Sequence, residues 1–73
     1  MKVASMKSIE QWAAATGRVI VRNGPDYILV TEGRPSPPME RPVFRRITTI
    51  VMEKEKRQAM YRMAMRGQHQ PDS

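Results

Sequence analysis

Arg18-Val-Ile-Val-Arg-Asn-Gly-Pro-Asp-Tyr-Ile-Leu-Val-Thr-Glu32 decides the fold. Two β-branched runs, Arg18–Arg22 and Tyr27–Glu32, flank Asn23-Gly-Pro-Asp26, where turn-forming residues are concentrated, and this arrangement predicts a β-hairpin. Pro25 has no N–H to give to a ladder, which favours a four-residue loop over a tight Asn23-Gly24 turn. That loop sets Arg22 opposite Tyr27, Val21 opposite Ile28, Ile20 opposite Leu29 and Val19 opposite Val30. Because side chains alternate across a strand, one face is wholly apolar (Val19, Val21, Ile28, Val30) and the other is mixed (Arg18, Ile20, Arg22, Tyr27, Leu29, Thr31). The apolar face is expected to pack on a helix. The mixed face combines arginine, tyrosine and aliphatics as interface hot spots do, which makes Arg18, Ile20, Arg22, Tyr27 and Leu29 candidate partner-binding residues. The competing expectation is that the C-terminal helix covers this face through its methionines.

Upstream, Ser8 followed by Gln11 has capping-box spacing and Gly17 supplies a terminator, so the intervening residues predict a short helix with Ile9, Trp12, Ala13 and Thr16 on one face. Trp12, the single tryptophan, is expected to anchor that helix to the sheet. Both Met1 and Met6 are possible start codons.

Downstream, Arg34-Pro-Ser-Pro-Pro-Met-Glu-Arg-Pro42 concentrates four of the six prolines. Proline excludes a central strand or a helix interior, so residues 33–42 read as a stiff basic loop, either a contact surface or a plain spacer. Val43–Met52 is rich in β-branched residues and predicts a third antiparallel strand, although its alternation breaks at Arg45-Arg46 and Ile47, Ile50 and Val51 also fit helical spacing. In a strand Arg45 and Arg46 would point to opposite faces. Phe44 is expected in the core. Glu53–Arg66 is rich in helix formers, carries acids near its start and Arg62 and Arg66 near its end, and meets a stop at Gly67. The reading is therefore an α+β fold: a compact unit over residues 1–52, a charged helix over 53–67 and a disordered tail over 68–73.

The chain has 73 residues, no cysteine and a net charge of +6. So small a chain buries only about 60 to 65 % of its extended-chain surface, and no disulfide or thiolate metal site supplements its core. Residues 1–33 hold four basic and three acidic groups, residues 34–52 four and one, and residues 53–73 five and three, so the positive field belongs to the second half. Such a field favours polyanions or acidic protein surfaces through attraction that salt weakens. Arg34, Arg41, Arg45, Arg46, Arg57 and Arg62 are the candidate contacts to nucleic acid or an acidic surface. The lone histidine, His69, stands in the tail, no carboxylate spacing is distinctive, and no phosphate-loop or metal-loop pattern occurs. An enzyme, a catalytic residue, a metal and a cofactor are accordingly not expected. No apolar run reaches the roughly 18 to 20 residues of a membrane span, and neither a signal peptide nor a membrane partner is expected.

Ser8-Ile-Glu-Gln-Trp12, then Gly17-Arg-Val-Ile-Val-Arg-Asn-Gly-Pro-Asp-Tyr-Ile-Leu-Val30, then a basic C-terminal part within 73 residues, resembles the small transcription regulators of lytic Xanthomonas phages. The resemblance implies a monomer in the host bacterial cytoplasm that binds RNA polymerase subunits near nascent RNA, displaces the sigma factor and promotes antitermination. It rests on length, basicity and layout, and carries over no contact residue. The alternative is a small basic protein that contacts nucleic-acid phosphates directly.

Overall fold

The computed structural model describes residues 2–68, with side chains through Met65 in the last helix. The start at Met1, His69 and all but the first residue of the expected tail lie outside that range. The element order is α1 (Met6–Ala15), β1 (Val19–Asn23), β2 (Asp26–Thr31), β3 (Arg34–Pro35), β4 (Met39–Glu40) and α2 (Arg41–Gln68), an α+β fold with an antiparallel sheet between its helices in sequence.

Ser5, not Ser8, caps α1: its side chain accepts from the Ser8 N–H at 3.2 Å, and the Ile9 N–H reaches the Ser5 carbonyl at 3.0 Å. Starting a turn earlier places Ile9 well inside the helix, one turn before Ala13, and both are buried. The helix ends as predicted at Gly17, whose φ of +73° is open to glycine at little cost. There the Arg18 N–H returns to the Ala13 carbonyl at 2.8 Å and the Gly17 N–H to that of Ala14 at 3.4 Å, a Schellman closure.

The hairpin has the predicted register, Val19 opposite Val30 through Arg22 opposite Tyr27, and it extends one pair further, to Asn23 opposite Asp26. Only Gly24 and Pro25 remain in the turn. Gly24 takes φ +61° and the Pro25 ring fixes the next φ, a type II′ combination in which the missing proline N–H is not needed. The proline-rich stretch is more ordered than a loop. Glu32 (φ +53°) and Gly33 (φ +77°) make a second two-residue turn, with positive φ at both positions as type I′ requires, which sets Thr31 opposite Arg34 and Val30 opposite Pro35. The Ser36 N–H then reaches the Leu29 carbonyl at 2.9 Å, while Ser36 Oγ accepts from the Leu29 N–H at 3.0 Å. β4 returns to pair Met39 with Tyr27 and Glu40 with Asp26.

The third antiparallel strand is therefore Arg34–Pro35, and Val43–Met52 is not a strand but part of the 28-residue helix α2. Pro42 fits the first helical turn, where its absent N–H would have had no partner. The broken alternation at Arg45-Arg46 is the helical period: Phe44 and Thr48, four apart, are both buried, and Thr49 beside them is 2 % exposed. Burial of that stripe overrides the β preference of the isoleucines and threonines. The expected boundary between residues 52 and 53 falls inside α2, which also continues past Gly67 to Gln68.

The sheet presents the opposite face to the helices from the one anticipated. Val19 and Val21 are 57 % and 41 % exposed, whereas Tyr27 of the mixed face stacks on Phe44 with centroids 5.2 Å apart. The reason is visible at Arg18. Its guanidinium lies 4.5 Å from the Trp12 ring, its Nε donates to Thr31 Oγ1 at 3.3 Å, and it forms an ion pair with Glu55 of α2, which also accepts from Trp12 Nε1 at 3.2 Å. One carboxylate thus joins α1, the start of β1 and α2, and this requires the arginine-bearing face to turn inward. The cover comes from the N-terminal half of α2 and not from the methionines, since Met60 and Met63 are exposed.

Candidate binding surfaces

Folding divides the expected partner-binding set. Arg18 is committed to Trp12, Thr31 and Glu55, Tyr27 to Phe44, and Leu29 is half-buried with its backbone tied to Ser36. Ile20 is half-buried and Arg22 exposed, its guanidinium 5.5 Å from the Tyr27 ring. All of these except Leu29 line a groove of about 610 Å³ between β1 and α1, which the mouth of α2 closes with Arg41.

The expected cationic contacts also separate. Arg45 is half-buried, its Nε donating to the Ala4 carbonyl at 3.0 Å, while the Thr49 hydroxyl accepts from the Ala4 N–H at 2.9 Å, so this arginine straps the N-terminal segment to α2. Arg34, Arg41, Arg46, Arg57 and Arg62 are exposed. Arg45 and Arg46, neighbours on a helix, point about 100° apart and not to opposite faces. Arg57 and Arg62 flank Gln58 and Tyr61 in a shallow depression of about 420 Å³. Among the described residues, Arg18–Glu55 is the only ion pair, so the exposed arginines keep their charge for other partners.

Sequence reasoning missed a second, exposed stripe along α2. Val43, Ile47, Ile50, Lys54, Arg57 and Tyr61 follow one another at intervals of four and three residues along α2, and all six are exposed, Ile47 and Ile50 at 43 % and 44 %. Such spacing keeps side chains on one helical face. This face turns away from Phe44 and Thr48: it is apolar over its first two turns and basic with an aromatic over its last. The signal lay in the helical spacing of Ile47 and Ile50, and it was masked because the segment read as a strand.

Among the described residues no three His, Cys, Asp or Glu side chains come together as a metal site, and no helix is long and apolar enough to cross a membrane. Comparison with known proteins finds no matching family model, no matching curated protein and no matching solved structure.

Proposed function

We propose that the protein is a non-catalytic regulator that binds bacterial RNA polymerase in the cytoplasm, blocks sigma-dependent initiation and promotes antitermination by occupying surface. The observation that carries the binding part of this reading is the second stripe of α2. A helix in a chain this short needs one buried stripe for its own core, and α2 already has that in Phe44, Thr48 and Thr49. The exposed line from Val43 to Tyr61 is surplus to folding and has the spacing of a helix laid in a partner's groove. Its mixed chemistry selects a groove with an apolar floor at one end and acidic groups at the other. Polymerase enters through the resemblance of the helix–hairpin layout to phage transcription regulators.

The competing reading is direct contact with nucleic-acid phosphates, which the exposure of Arg46, Lys54, Arg57 and Arg62 along the same helix favours. A pull-down from bacterial lysate with and without nuclease separates the two. Recovery of polymerase that survives nuclease, and falls at least tenfold for the Ile47→Ser, Ile50→Ser double variant, supports the first. Loss of all recovery on nuclease treatment supports the second, and binding indifferent to the double variant removes the stripe from either.

A further inference from the structure

We infer that the free edge of β1 takes up an extended acidic segment of another polypeptide as an added strand, in the groove between β1 and α1. This goes beyond the α2 stripe and uses different residues.

β1 lies at the end of the sheet, paired only with β2. Leu29 spends its N–H and carbonyl on Ser36, on the β3 side, so its partner Ile20 sits at a non-hydrogen-bonded position of the hairpin. By the same alternation Arg22 does too. The N–H and carbonyl groups of Ile20 and Arg22 therefore point away from the sheet, towards open space. Natural edges are blunted by proline, charged side chains or a bulge; Val19-Ile-Val-Arg-Asn23 has no proline and a continuous register, and its one charge is Arg22.

The space beside that edge is already shaped. Met6, Ala13 and Ala14 of α1 give the groove an apolar wall, Arg22 and Arg41 stand at its polar side, and Glu10 is its single acid. Neither Arg22 nor Arg41 has an ion-pair partner among the described residues. In an added strand, alternate side chains would fall towards Arg22 and Arg41, and the intervening ones would continue the exposed row of Val19 and Val21. The matching segment is thus extended, with acidic and β-branched residues in alternation. A second copy of this chain fits poorly. Pairing two β1 edges through their outward groups would place the two Arg22 side chains as diagonal neighbours, about 7–8 Å apart, on bodies that each carry +6.

The test is an amide-resolved NMR titration of the full chain with two capped octapeptides, (Glu-Val)4 and (Lys-Val)4. Shifts centred on Ile20 and Arg22, at least tenfold weaker affinity for the lysine peptide, and loss of the acidic preference in Arg22→Glu would support strand addition. Arg41→Glu, on a different element, should weaken the acidic peptide in the same way and guards against a local distortion of the hairpin. Absence of shifts at Ile20 and Arg22 with the acidic peptide, or equal response to both peptides, overturns the proposal.

Discussion

Thr48 is the side chain whose environment fits it least. It is fully buried, and its Oγ1 has no hydrogen-bond partner among the described residues, whereas neighbouring Thr49 donates to the Arg45 carbonyl at 2.6 Å. A buried hydroxyl without a partner costs about 1–3 kcal/mol, and valine keeps the shape while deleting the oxygen. Thr48→Val should therefore stabilise the protein by about 1 kcal/mol, read as a rise of roughly 4–8 °C in a thermal melt. A lower melting temperature would mean that the hydroxyl has a partner after all. Glu55 is the opposite case, since one carboxylate serves both Trp12 Nε1 and Arg18. Removing it leaves a guanidinium whose side chain is only 14 % exposed without its counter-charge. Glu55→Ala should cost about 1–3 kcal/mol, whereas replacing the neighbouring exposed Lys56 by alanine should stay within about 0.5 kcal/mol; denaturant midpoints compare the two directly. Glu32, held at φ +53°, predicts a gain of about 0.5–1 kcal/mol on replacement by glycine, which takes that backbone conformation freely.

At the scale of the element, the hairpin was legible because its signals are local. Turn residues, β-branched runs and the missing donor of Pro25 fix a register that does not depend on the rest of the chain. Which face of it turns inward was not legible, because the alternation favours the wholly apolar side of Val19, Val21, Ile28 and Val30, where Val19 and Val21 are in fact exposed. The decision falls to Arg18 and Tyr27, through partners at Glu55 and Phe44 that stand 37 and 17 positions away in the sequence. The same limit applies to α2. Its two stripes interleave, so residues 43–52 show a dense β-branched run that competes with the helical spacing of Ile47, Ile50 and Val51, and burial of Phe44 and Thr48 decides for the helix. The exposed cations were readable as a set, but Arg45 proved to be a strap for Ala4. Beyond Glu55 every side chain from Lys56 to Ala64 is exposed, so that stretch gains little from packing. Ending the chain after Gln58 should leave the cooperative thermal transition in place and lower far-UV helicity in proportion to the turns removed; collapse of the transition would show that the distal turns hold the body together.

The whole molecule measures 57 × 28 × 18 Å, an elongated shape set by a helix about 42 Å long that starts in the body and leaves it. Among the described residues only Arg18 and Glu55 are paired, so association with an acidic partner should slow several-fold between low and physiological salt, with a smaller change in dissociation rate, as surface plasmon resonance or stopped flow would read. Among the described residues only Ile9, Ala13, Phe44, Thr48 and Thr49 are fully enclosed. A body held by so few interior side chains folds with a thin margin, and a thin margin makes it responsive. Any molecule that grips the native form alone adds RT ln(1 + [L]/Kd), about 2.7 kcal/mol at a hundredfold excess over Kd, which in a domain of this size amounts to a melting shift on the order of 10 °C or more. The scarcity of interior contacts thus turns the protein into its own reporter: a plate of candidate fragments and a heating ramp would rank them without labels or tags, whichever surface they touch.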